Sequence, residues 1–192
     1  MTHAYFVTGT DTDVGKTVIA AALLHKAGAA GLKTLGLKPV AAGGTIKAGE
    51  FVNDDAWWLR ELSTTQPAYA DVNPVALSEA IAPHIAAKRE HRELDAGLLA
   101  EHCRRQTMCS DFCVIEGAGG WNVPLSDRES MVDLAVAIGY PVILVAGIRL
   151  GCINHSLLTA AAIQDTGLVL AGWVANQIEA DMPALDENIE TL

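Results

Sequence analysis

The stretch Gly9-Thr10-Asp11-Thr12-Asp13-Val14-Gly15-Lys16-Thr17 constrains the fold of this chain more than any other. Tyr5-Phe6-Val7 before it is a short β-prone run, and after it Ala20, Leu23, Leu24 and Ala27 recur at helical spacing. The order is therefore strand, glycine loop, helix. Gly31 stops the helix and Leu35 to Val40 resumes an extended path, which completes a βαβ unit with a right-handed crossover.

The same grammar repeats. Phe112-Cys113-Val114-Ile115 is an apolar strand that delivers Glu116 to Gly117-Ala118-Gly119-Gly120, Pro141 to Ala146 leads into Gly147, and Val169 to Val174 ends near Asn176. Helical stretches lie between them: Ala56 to Leu62 behind an Asn53-Asp54-Asp55 start, Leu94 to Met108, Met131 to Ile138 closed by Gly139, and Ile153 to Thr166 closed by Gly167. Residues 41–52 are Gly/Ala-rich and aperiodic, which predicts a loop; residues 63–82 are turn-rich and carry no assignment; the acidic tail Glu179 to Leu192 has helical character. With 51% hydrophobic residues but only 5% aromatic, the apolar mass is aliphatic, as a parallel sheet buried on both faces requires. The expected architecture is α/β, a doubly wound, mostly parallel sheet in a single domain spanning residues 1–192. Ligands of such folds sit outside the carboxyl ends of the strands, where Lys16, Lys38, Glu116 and Asn176 all fall.

Charge and composition exclude several function classes. A formal net charge of −10 with no Lys/Arg run argues against nucleic acid as a partner. No apolar run is long enough to span a membrane and the N-terminus has no signal-peptide pattern, so a cytoplasmic location is expected. Cys103, Cys109, Cys113 and Cys152 form no CxxC pair and no metal spacing with histidine; free, mostly buried thiols are expected.

Gly9 to Thr17 resembles a Walker A loop with five residues, rather than four, between its outer glycines. Its backbone N–H groups and the following helix N-terminus would face phosphates, Lys16 would reach the β and γ oxygens, and the Thr17 hydroxyl would ligate Mg²⁺. Carboxylates for the metal are offered by Glu116, in the position of a Walker B acid, and by Asp55. Each has a competing structural role: Asp54 or Asp55 as a helix cap, Glu116 as a solvated loop acid. In a chain poor in cations, Lys38 at a strand end reads as a charge aimed at the ligand. The Asn176 side chain suits a nucleobase edge, and the absence of an Asn-Lys-x-Asp pattern favours adenine. Trp57, Trp58, Trp121, Trp173 and His155 read as packing residues.

Five segments together resemble the ATP-dependent dethiobiotin synthetases of biotin biosynthesis: Phe6 to Thr17, Lys38-Pro39-Val40, Val114 to Trp121, Gly151-Cys152-Ile153-Asn154-His155 and Gly172-Trp173-Val174-Ala175-Asn176. The resemblance implies a homodimer that uses MgATP to join CO₂ or bicarbonate to the diamino fatty acid 7,8-diaminononanoate and close the ureido ring of dethiobiotin. It implies that Lys38 and Lys16 are catalytic, that Thr17, Asp55 and Glu116 hold Mg²⁺, and that Asp13, Val14, Gly15, Lys16, Thr17 and Val18 form the phosphate loop. Glu116, Gly117, Ala118, Gly119, Asn176 and Gln177 would add nucleotide contacts. Thr12, Lys38, the position of Ala42 and the segment Gly151, Cys152, Ile153 and Asn154 would hold the diamine, the last segment from across the dimer interface. Ala42 stands where the family usually places a serine, and family members continue past the position of Leu192 through a strand and an adenine-contacting loop. Two other readings keep the fold: a related amidating synthase or partitioning ATPase, and a nucleotide-binding paralogue without catalysis.

Overall fold

The computed structural model describes residues 2–47 and 49–192. Five strands form the main sheet: β1 (His3–Gly9), β2 (Thr34–Leu37), β7 (Phe112–Glu116), β8 (Val142–Ile148) and β9 (Leu170–Gln177). They run parallel in the order β2-β7-β1-β8-β9, as expected of apolar strands joined by helical crossovers. The unit running from β1 through helix α1 (Lys16–Ala29) to β2 is split, because β7 lies between its two strands. The connection from β1 leads to one side of the sheet and that from β8 to the other, which opens a crevice between their carboxyl ends.

Strand alternation divides the core between the two faces. Phe6, Ile115 and Leu144 point to one face, where they pack with Leu99, Cys103, Leu134 and Ile138 of helices α5 (Ala96–Thr107) and α6 (Met131–Ile138). Their neighbours Val7, Val114 and Val145 point to the other, against Ala20 and Leu24 of α1 and Ala56 and Leu59 of α2 (Asp54–Glu61). Burying each large aliphatic side chain there contributes about 1.5–3 kcal/mol. At Gly36 in β2 a Cβ would lie 2.7 Å from Leu24 Cδ1 and 2.9 Å from Leu59 Cβ, so α1 and α2 close over the strand only because that residue has no side chain. Helix α7 (Cys152–Asp165) follows β8 and buries Cys152, Ser156 and Ile163.

The expected loop at residues 41–52 is instead two small strand pairs. The extended path after β2 breaks at Lys38, and β3 (Val40–Ala42) pairs in parallel with β6 (Val75–Leu77), while β4 (Thr45–Lys47) and β5 (Glu50–Val52) form an antiparallel hairpin. Three-residue strands are too short for alternation to register, and Gly43 and Gly44 mask them further. The unassigned segment holds α3 (Tyr69–Val72) as well as β6, and α4 (Pro83–Arg89), started by its proline, follows. A short α8 (Leu185–Thr191) lies in the acidic tail. Cys103, Cys113 and Cys152 are buried free thiols and Cys109 is an exposed one. Among the described residues no helix is long and apolar enough to cross a membrane.

Candidate nucleotide site

The loop leaving β1 is pinned at its start to the neighbouring strand: the Thr10 amide donates to the Val145 carbonyl (3.0 Å), and the Gly147 amide donates to Thr10 Oγ1 (3.2 Å). Its turn needs left-handed backbone at Asp13 (φ 57°) and Gly15 (φ 89°), the second costless only for glycine. Gly15 is required for space as well, since a Cβ there would meet Asn176 Nδ2 at 2.3 Å. That Nδ2 donates to the Val14 carbonyl (2.8 Å), so Asn176 at the end of β9 holds the loop that Gly15 opens to it. No side chain caps α1 and its first turn carries no acid, which leaves its N–H groups directed at the loop's concavity. Buried Lys16 donates from Nζ to the Asp11 carbonyl (2.8 Å), and burial together with neighbouring Lys38 pulls its pKa down to about 8.

Around this loop four side chains converge, from α1, α2, β7 and the turn after β2. Lys38, just beyond β2, is 3% exposed and donates from Nζ to Glu116 Oε1 (2.6 Å) and to the Gly117 carbonyl (3.0 Å), with Asp55 Oδ2 at 3.1 Å. Its backbone is tied down on both sides: the Lys38 amide donates to the Val72 carbonyl, and Asn73 Nδ2 donates to the Lys38 carbonyl. Burial disfavours the Lys38 ammonium, but Glu116 and Asp55 outweigh it, and its pKa is raised. For Asp55 the balance is similar: desolvation opposes the carboxylate, Lys38 and the Thr17 hydroxyl favour it more, and its pKa is lowered. Thr17 Oγ1 donates to Glu116 Oε1 (2.9 Å).

The competing structural roles of the two acids fall away in this geometry. Asn53 is the N-cap of α2, its Oδ1 accepting from the Ala56 amide, and Asp54 pairs with Lys47 at 2.7 Å, so Asp55 is left to face Lys38. Glu116 is wholly buried rather than solvated. Its Oε2 has no hydrogen-bond partner among the described residues, a deficit of order 1–3 kcal/mol for a buried polar atom. A hard cation would supply that partner, and the surrounding donors, the Glu116 and Asp55 carboxylates and the Thr17 hydroxyl, are the all-oxygen set magnesium prefers.

The second glycine loop packs directly on the first. Gly117 donates from its amide to the Val7 carbonyl (3.0 Å), Gly120 lies against the Gly9 and Thr10 carbonyls, and Gly119 adopts φ 66° beside Thr12 Oγ1. Buried Ala118 and Trp121 anchor it, Trp121 edge-on to Phe6 at 6.3 Å. Val18 lies 66% exposed on the outer side of α1 and Ala42 is half-buried at the end of β3. Gln177 donates from Nε2 to the Glu179 and Ala180 carbonyls. Gly151 (φ 95°) starts α7, with Cys152 buried, Ile153 half-buried and Asn154 and His155 exposed. Sequence reasoning passed over Asp11 and Arg149, which pair at 2.7 Å across the mouth of the site, and Asn73. Asn53, standing before two acids, by contrast carried a readable signal.

A parallel α/β sheet with a glycine loop between its central strand and first helix, a buried lysine in that loop and acids at a neighbouring strand end define the phosphate-loop nucleotide-binding class. Solved structures share this fold: MinD complexed with Mg-ADP from Pyrococcus horikoshii (TM-score 0.62, 18% identity, 100% of this chain and 78% of that one) and a ParA-family ATPase from Chlorobium tepidum (TM-score 0.56, 11% identity, 99% and 79%). A protein-family model described as an AAA domain matches residues 3–192. The ATP-dependent dethiobiotin synthetase BioD of Cellvibrio japonicus is 56% identical over 189 residues, covering 98% of this chain and 83% of its own, and that of Aromatoleum aromaticum is 49% identical over 190 residues, covering 99% and 84%. The chain belongs to the dethiobiotin synthetase family.

Proposed function

We propose that this protein condenses 7,8-diaminononanoate with CO₂, at the expense of ATP, to give dethiobiotin, ADP and phosphate. One amine captures CO₂ as a carbamate, a carbamate oxygen takes the γ-phosphoryl group from ATP, and the second amine attacks the mixed anhydride and expels phosphate, closing the ureido ring. None of these steps needs a covalent enzyme intermediate; each needs reactants held in register and negative charge neutralised.

The chain's residues fit those demands. Asp13 to Val18 would cradle the phosphates, with Lys16 released from the Asp11 carbonyl to meet them. Lys38, anchored on Glu116 and the Gly117 carbonyl, would place a fixed cation beside the carbamate and the transferring phosphoryl group. Thr17, Asp55 and Glu116 would hold Mg²⁺, which when bound screens the β and γ phosphate charge. Thr12 and, from across a dimer interface, Gly151 to Asn154 would line the diamine's path, and Leu150, Leu157 and Leu158, all more than half exposed along α7 and the turn before it, support a second copy covering that helix.

The observation that carries the proposal is the buried Lys38–Glu116 pair, reached by the partly exposed Asp55, with an unpartnered Glu116 oxygen beside the phosphate loop. Phosphate release from MgATP tests it. Release that requires bicarbonate and the diamine together is the expected result; release without the diamine would point to a partitioning-type ATPase, and binding without turnover would remove the enzyme reading.

A further inference from the structure

Asp11 stands apart from the rest of the phosphate loop, its fellow acid Asp13 included, in being paired with a cation from another strand's loop. It is a carboxylate placed among amides that face an anion, and it opposes any triphosphate bound there. It is also the best-connected residue of the loop: Oδ1 accepts from the Thr12 amide (2.8 Å), its carbonyl accepts from Lys16 Nζ (2.8 Å), and Oδ2 accepts from Arg149 at 2.7 Å. Arg149 follows β8 and precedes Gly151, where α7 begins. The pair therefore spans the crevice between the carboxyl ends of β1 and β8, the point at which the sheet's connections diverge. The Thr10 and Gly147 contacts already fasten the base of this junction, so the ion pair sits over prealigned backbone.

We propose that Arg149 is a positioning residue for the reaction: through Asp11 it fixes Thr12 and the phosphate loop against the segment that starts α7, and it cancels the carboxylate charge facing the triphosphate. This rests on the reading above, in which that loop holds ATP and that segment lines a diamine's path across the dimer interface. Two effects follow from one contact. Without Arg149 the Asp11 charge stands unopposed next to the phosphates, and Thr12 loses the anchor that sets its amide. Both side chains are partly exposed, 38% for Arg149 and 49% for Asp11, so water screens the pair and the effect is moderate.

Arg149→Met, Asp11→Asn and the double variant test this, with KM for ATP, KM for the diamine, kcat and melting temperature measured for each. Arg149→Met is expected to raise KM for ATP about three- to tenfold with kcat changed less and the melting temperature nearly constant, since screened ion pairs contribute little to stability. Adding Asp11→Asn should bring KM for ATP back toward wild type, because the amide oxygen still accepts from Thr12 but carries no charge. An Arg149→Met enzyme with wild-type constants would overturn the proposal. So would a double variant as weak as Arg149→Met, which would make Arg149 a direct phosphate ligand. Titrating the same variants with MgADP alone gives the same ordering of affinities without turnover, so a failure of the ion-pair proposal stays distinguishable from a failure of the synthetase reading.

Discussion

Buried Lys38 carries three contacts to acceptors, and two of its partners, wholly buried Glu116 and partly exposed Asp55, are acids that would otherwise repel each other. Removing it leaves Glu116 buried without its cation, so Lys38→Met is expected to lower the melting temperature and to cut kcat by about 10²–10³, the usual range for losing a fixed transition-state charge. Steady-state phosphate release and a thermal melt measure the two effects. Glu116→Gln separates the metal from the lysine: Mg²⁺ added to ADP should raise the wild-type melting temperature beyond ADP alone and do so little in the variant. The cysteines give a pH-dependent check on burial. Desolvation pushes the thiols of Cys103 and Cys113 up to about 12, each with only about one molecule in ten thousand as thiolate at pH 8. Alkylation at that pH is expected to mark Cys109 and spare these two until the protein unfolds. Because their folded pKa values lie above the unfolded ones, their contribution to stability is complete below about pH 9 and fades as pH climbs toward 12.

At the scale of elements, glycine decides how closely the parts approach. Gly36→Ala drives a methyl group into Leu24 and Leu59 and is expected to cost about 1–3 kcal/mol in a denaturant titration, with the nucleotide constants unchanged when corrected for folded fraction. Gly15→Ala combines a left-handed φ with the 2.3 Å approach to Asn176 Nδ2, and calorimetry with MgADP should find affinity lost or greatly reduced. The main-sheet strands, the helices other than α3 and α4, and the residues of the lysine–carboxylate cluster were legible because each leaves a local trace: apolar runs before glycines, an Asn before two acids, Lys16 after a glycine loop and Lys38 after a strand. The β3–β6 and β4–β5 pairs left none, since a three-residue strand has no period and its partner lies elsewhere in the chain. The order of the strands was equally hidden, because the insertion of β7 between β1 and β2 depends on long-range pairing. Arg149 and Asp11 were missed for the same reason: nothing at either position announces a partner on another strand's loop.

For the whole molecule, the apolar side chains exposed along α7 support pairing with a second copy, and sedimentation at micromolar concentration is expected to return twice the 20.2 kDa of one chain. Leu157→Glu with Leu158→Glu should shift that mass toward a single chain. The most direct test of the account follows the carbon. With MgATP, ¹³C-bicarbonate and 7,8-diaminononanoate, mass spectrometry should find a cyclic urea carrying the label, formed in step with ADP and absent when any one component is omitted. Unlabelled diamine recovered intact while ATP is consumed would contradict the ring-closing reaction.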